Sequence, residues 1–213
     1  MIKKEINKYC VLYLVRHGET IWNIEHKFQG QGDSPLTEKG IIQAKKAAEK
    51  LKHVKFDSVY SSDLLRAKRT AEIIALEKDL VIQTSKALRE RAFGRFEGTL
   101  TKVFFEKYGL KMRELEASKK NQIKKNQIDP TIESDESLMG RFITFLREVS
   151  LANIGKKVLI VTHGGTIRVL LGHLGYINPK GDHDVYINNT AIVQIACDGV
   201  DFIIKEIDGV IKK

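Results

Sequence analysis

The stretch Leu12-Tyr13-Leu14-Val15-Arg16-His17-Gly18-Glu19-Thr20 decides how the rest of the chain is read. Its first four residues form a continuous apolar run with aromatic and β-branched members, the pattern of a buried strand. The run stops at a cation, an imidazole and a glycine. Ligands of an open α/β sheet sit beyond the carboxyl ends of its strands. A strand ending in Arg-His-Gly therefore delivers a fixed positive charge and a nucleophile to the place where a ligand would lie. Val158-Leu159-Ile160-Val161-Thr162-His163-Gly164-Gly165 repeats the grammar. One histidine at a strand end is more often a satisfied polar residue than a catalyst. Two such ends, one beside an arginine and one opening a glycine-started helix, point to a site.

Working outward, residues 28–35 are rich in Gly, Asp, Ser and Pro and read as a loop. Thr37 can cap a helix whose apolar positions are Ile41, Ala44, Ala48 and Leu51. Residues 54–60 read as a strand. Ser61-Ser62-Asp63 offer N-caps for a helix burying Leu64, Ala67, Ala71 and Ile74. Residues 80–83 read as another strand and 88–98 as a charged, glycine-containing loop. Helical character returns over 101–117. Ser134 or Asp135 can cap a helix with Leu138, Phe142, Phe145, Leu146 and Val149 on one face. A helix over 166–174 follows the second His-Gly strand. Residues 192–197 and 200–207 flank Asp198-Gly199, a hairpin signal. Strands alternating with helices predict an α/β fold of three layers. Its central sheet is mostly parallel, with helices on both faces and a C-terminal antiparallel hairpin.

The chain has 213 residues, 42% of them hydrophobic, which suits a single domain over 1–213. No run of about 18 apolar residues occurs, so no membrane span is expected. The N-terminal residues are too polar for a signal peptide. Cys10 and Cys197 are far apart and lack metal-ligand spacing, and so read as reduced thiols of a cytoplasmic protein. The net charge is +9. Residues 102–128 hold eight basic and three acidic side chains, +5 of that +9, within a basic inserted segment at about 101–130. The rest is nearly balanced, which argues against a nucleic-acid surface. Inside this segment Lys119-Lys120-Asn121-Gln122-Ile123 is repeated at once as Lys124-Lys125-Asn126-Gln127-Ile128. A solvated surface is favoured there over a substrate-binding lid.

Arg16, His17, Arg66 and His163 can meet at one end of the sheet. Two guanidinium groups and two helix N-termini in one crevice suit a phosphate. No carboxylate cluster suggests a metal, and no Gly-rich Lys-Ser/Thr loop suggests a nucleotide. A phosphate site with two histidines and neither of those features implies covalent transfer through an imidazole.

At this point the chain resembles the histidine phosphatase superfamily, the phosphoglycerate-mutase-like proteins. The resemblance rests on Leu14-Val15-Arg16-His17-Gly18-Glu19-Thr20, Gln29-Gly30 with Asp33-Ser34-Pro35-Leu36-Thr37, and Ser61-Ser62-Asp63-Leu64-Leu65-Arg66-Ala67. Leu88-Arg89-Glu90 and Thr162-His163-Gly164-Gly165 complete it. It implies that His17 is the nucleophile, that Arg16, Arg66 and His163 hold the phosphoryl oxygens, and that Glu90 gives a proton to the leaving oxygen. It also places Asn23, Gln29, Gly30, Arg91 and Gly164 in the phosphate-binding set. Read from the residues alone, Glu90 has an alternative as an ion-pair partner of Arg89 or Arg91, and Asn23 as a loop-capping amide. Trp22 and Phe28 read as packing residues. Residues 131–135 differ from the Pro-Gly-Gly turn of many members.

The resulting expectation is a metal-independent, cofactor-free phosphatase acting on phosphate monoesters of small metabolites, with a homodimer as the assembly considered and no nucleic-acid or membrane partner. The first alternative is a cofactor-dependent phosphoglycerate mutase, which shares the nucleophile but is usually longer. The second is an inactive scaffold that binds a phosphorylated ligand for regulation.

Overall fold

A computed structural model describes residues 8–76, 78–117, 129–177 and 185–212, apart from the side chains of 111–117 and 212. The tandem repeat at 119–128 lies outside the described residues. Six strands form one sheet in the order β3-β2-β4-β1-β5-β6. These are β1 (Cys10–Arg16), β2 (Ser58–Ser62), β3 (Ile82–Ser85), β4 (Lys157–Thr162), β5 (Val185–Cys197) and β6 (Phe202–Lys212). The first four run parallel, and β5 and β6 add the antiparallel hairpin.

Alternation along the central strands makes the three layers. Leu12, Leu14, Val158 and Ile160 face one side of the sheet, where α5 (Asp135–Ala152) and α6 (Gly164–His173) pack. Tyr13, Val15, Leu159 and Val161 face the other, against α2 (Glu38–Lys50) and α3 (Leu65–Ala75). Both faces are covered, so the middles of β1 and β4 are apolar on both sides, as a buried parallel sheet requires. A third, aromatic cluster joins Phe28, Phe93 and Phe96 to Phe104 and Tyr108 of α4 (Thr101–Ala117). Among the described residues no helix is long and apolar enough to cross a membrane.

The elements fall near their expected places, and the differences have local causes. Ser61 and Ser62 belong to β2, so the predicted cap for α3 is not theirs. The N-cap residue is Leu64, which has no capping side chain. Asp33, from the distant loop, accepts from the Leu65 N–H at 2.6 Å instead. Asp63 is engaged in a bidentate pair with Arg89. Ser134, rather than Asp135, caps α5 by accepting from Ser137 N–H. The hairpin strands are longer than expected because residues 188–191 interrupt the alternation of β5 and hide its first half. Cys10 and Cys197 are free thiols, as read, but they stand directly opposite one another between β1 and β5. Burial pushes the Cys10 thiol up to about 12.

Candidate active site

Parallel pairing of β1 with β4 sets Arg16 against Thr162, so the two His-Gly ends emerge side by side. The His17 N–H donates to Thr162 O at 3.0 Å, continuing the ladder one step past the strand. The His17 and His163 rings lie 5.2 Å apart at 61°. His17 is 3% exposed and His163 is wholly buried.

The two rings are held differently. His17 Nδ1 lies 2.7 Å from Gly18 O. A carbonyl only accepts, so Nδ1 carries the proton and Nε2 keeps its lone pair. Neither ring nitrogen of His163 has a hydrogen-bond partner among the described residues. Burial, then the nearby Arg66 and Arg16 guanidinium groups, hold His17 well below the usual histidine range. Burial and the same arginines depress His163 as well, with His17 adding to the effect. Both imidazoles are therefore neutral near pH 7.

Arg66 is 1% exposed, in the first turn of α3. It donates to Gly30 O at 2.6 Å and to Gly32 O at 2.7 Å, and it pairs with Asp33 at 3.3 Å. These bonds fix the 29–33 loop around one face of the guanidinium, while its Nε finds no partner. Arg16 donates through Nη1 to Ile187 O and lies 5.7 Å over the Tyr186 ring, and its Nε is also unpartnered. The Gln29 side-chain oxygen is a further buried polar atom without a partner. Buried polar groups are normally hydrogen-bonded. Those of Arg16, Gln29 and Arg66 belong to residues around one small volume, so they mark the seat of a polar ligand.

That volume is a crevice of about 330 Å³. Arg16, His17, Asn23, Gln29, Gly30, Arg66, Glu90 and Gly164 all line it. His163 and Arg91 are not among the lining residues, and the His163 ring meets His17 edge-on. Arg91 is buried in a pair with Asp135 and donates to Glu133 O, so it fixes the chain leading into α5 instead of facing a ligand. Asn23 combines both of its readings. It closes a capping box with Thr20 at α1 (Ile21–Ile24), and it faces the crevice. Phe28 packs against Phe93 with ring centroids 4.6 Å apart, and both rings also form one wall.

Glu90 is not an ion-pair partner of either neighbouring arginine. Its Oε2 accepts from Gly165 N–H at 2.8 Å. Its Oε1 accepts from Arg91 N–H at 2.8 Å and from the Thr166 hydroxyl at 3.1 Å. The carboxylate thus sits at the positive end of α6. Both glycines that start this helix are needed for close approach. A Cβ on Gly165 would come within 2.6 Å of Glu90 Oε1, and one on Gly164 within 2.9 Å of Arg16 Nε.

Several positioning groups escaped the sequence reading. Arg141 on α5 donates to the carbonyls of Ala87, Arg89 and Glu90 at 2.8–3.0 Å, clamping the loop that carries Glu90. Its only signal was an arginine set next to the apolar face of the helix, half-buried beside Phe142. Tyr186, Ile187 and Asn189 come from a strand more than 160 residues downstream of β1, and the sequence carried no local signal for them.

Among the described residues no group of three or more His, Cys, Asp or Glu side chains converges on a metal position. Arg16, Lys27, Arg66 and Arg168 all line the crevice, which suits a tetrahedral dianion set against the Nε2 lone pair of His17.

The comparisons with known proteins agree with this chemistry. A sequence model of the histidine phosphatase superfamily (branch 1) matches residues 12–208. The uncharacterized phosphatase PhoE of Bacillus subtilis (strain 168) is 34% identical over 189 residues, 89% of this chain and 86% of the relative. Phosphoglycerate mutase-like protein 4 of Arabidopsis thaliana is 39% identical over 164 residues, 76% and 70% of the two chains. The crystal structure of phosphoglycerate mutase from Bacillus anthracis str. Sterne superposes with a TM-score of 0.81 at 28% identity, covering 94% of this chain and 93% of that one. With phosphatases and mutase-like proteins alike among its relatives, and a family match spanning almost its whole length, the chain belongs to the histidine phosphatase superfamily.

Proposed function

We propose that the protein is a metal-independent phosphatase that hydrolyses phosphate monoesters of small metabolites through a phosphohistidine on His17. The observation that carries this reading is the bond from His17 Nδ1–H to Gly18 O, which aims a neutral Nε2 into a crevice with two unpartnered guanidinium nitrogens. In the first step the Nε2 lone pair forms a bond to phosphorus and the ester P–O bond breaks. The departing oxygen takes a proton from Glu90. Arg16, Arg66 and His163 hold the equatorial oxygens, and Gly18 O stabilises the ring as it gains positive character. In the second step water attacks phosphorus and gives its proton to the Glu90 carboxylate. The N–P bond then breaks and orthophosphate leaves. The sequence of residues 91–98, Arg91-Ala92-Phe93-Gly94-Arg95-Phe96-Glu97-Gly98, resembles the phosphatase branch more than the mutase branch.

A panel of phosphorylated metabolites, read for orthophosphate release with mutase activity measured alongside, tests the reading. Orthophosphate should appear, and strong chelators should leave the rate within about twofold, because guanidinium groups fill the role a metal would have. Phosphoglycerate isomerised without orthophosphate release would make the protein a mutase. Activity lost in chelator and restored by Mg²⁺ or Zn²⁺ would overturn metal independence.

A further inference from the structure

The pairing of β5 with β1 runs regularly from Cys197 to Ile192, which stands opposite Val15. Beyond that point β1 becomes Arg16-His17-Gly18, and β5 becomes irregular. Against β6, Ile192 pairs with Asp208 and Ile187 pairs with Val210. Residues 188–191 of β5 thus oppose the single residue Gly209, a bulge larger than the usual one extra residue. Thr190 inside it has φ of +59°, a left-handed conformation that is costly for a β-branched residue. Gly209 has φ of +77°, and a Cβ there would fall 3.0 Å from Ala191 Cβ and 3.1 Å from its Cα. The bulge therefore packs as it does only opposite a glycine.

The groups this bulge presents reach His17 and Arg16. Asn189 Nδ2 donates to His17 O at 3.1 Å and lies 3.4 Å from Asn23 Oδ1. Ile187 O, at the edge of the bulge, accepts from Arg16 Nη1. Asn189 does not line the crevice, so it acts on the site through His17 and Asn23.

We infer that the 188–191 bulge and Gly209 form a positioning device, in which Asn189 sets the nucleophile-bearing end of β1 and the packing against Gly209 keeps the bulge in place. The inference builds on the phosphotransfer reading above. Strain at Thr190 persists because Gly209, the Arg16 bond and the Asn189 bond together over-determine the bulge. A regular strand here would carry neither Asn189 to His17 nor Ile187 O to Arg16.

The test compares three variants by single-turnover phosphoenzyme formation with p-nitrophenyl phosphate and by the affinity for inorganic phosphate. Asn189→Asp keeps the shape but places an acceptor against His17 O. It should slow phosphorylation about tenfold or more and leave the phosphate Kd within about twofold. Gly209→Ala shifts the bulge, and with it the Arg16 acceptor. It should slow phosphorylation about tenfold or more and also weaken phosphate binding about fivefold. Gly199→Ala is the control. Gly199 has φ of +98° at the hairpin tip, and a side chain there would overlap Leu151. It should lower Tm as Gly209→Ala does while leaving the rate and the phosphate affinity unchanged. Gly209→Ala matching Gly199→Ala in both measurements, or Asn189→Asp phosphorylating at the wild-type rate, would overturn the inference. Wild-type protein that binds phosphate but forms no phosphoenzyme would refute the phosphotransfer reading, and the phosphate-affinity arm would still decide whether Gly209 positions Arg16.

Discussion

His17 and His163 end neighbouring strands, precede glycines and are both buried, yet the protein treats their rings in opposite ways. One ring nitrogen of His17 is tied to Gly18 O, which fixes its tautomer and aims the other nitrogen outward. Both ring nitrogens of His163 are left without a partner. A nucleophile needs a lone pair of known direction, and an anchored ring supplies it. A group that binds a phosphoryl oxygen needs an unused donor, and an unanchored ring keeps one in reserve. The shared His-Gly ending thus leaves two differently held rings, because only one of them meets a backbone acceptor, and the proposed mechanism assigns them two roles.

The largest way to break this asymmetry is His17→Ala. Turnover of any phosphate monoester should fall by about 10⁴-fold or more, to the assay floor, with the fold retained by circular dichroism. His163→Asn should cost less, about 10²- to 10³-fold in kcat, because it removes an oxygen-binding donor and leaves the nucleophile. A phosphoenzyme should still accumulate in that variant during single turnovers. Equal losses in the two variants would erase the distinction.

Glu90→Gln separates proton donation from binding. An alkoxide is a poor leaving group and needs the proton, whereas nitrophenolate leaves readily without it. The variant should slow alkyl phosphates about 10²-fold and p-nitrophenyl phosphate less than about tenfold. Equal losses would make Glu90 a positioning residue for the start of α6.

The smallest effect is on stability. Both histidines have pKa values held below the ordinary 6.5. The unfolded chain therefore binds protons more readily than the folded one, so their contribution is complete above about pH 6.5 and is lost as pH falls toward the folded values. Tm should drop as pH is lowered below about 6.5, and His163→Asn should flatten that drop. A Tm rising on acidification from pH 6.5 would contradict the burial of two neutral imidazoles.

Much of this was readable because the reactive residues announce themselves by type. The apolar runs ending at Arg16-His17 and at His163, and the arginine one turn into a capped helix, are local signals, and parallel pairing did the rest. Asn189 and Ile187 O are generic in type, and they reach β1 only through an antiparallel strand whose bulge broke its own alternation. Arg91 shows the opposite failure. The resemblance placed it in the phosphate-binding set, but Asp135 and Glu133 O take its guanidinium. The cap of α3 was misread for the same reason, since Asp33 supplies from a distant loop what Ser61-Ser62-Asp63 promised locally.

The most direct test is to quench wild-type protein during turnover of a ³²P-labelled phosphate monoester and map the trapped label. The label should sit on His17 alone, stable in alkali and labile in acid. Label on His163, on a serine or on an aspartate, or turnover with no trapped label even in rapid quench, would contradict the division of labour between the two histidines.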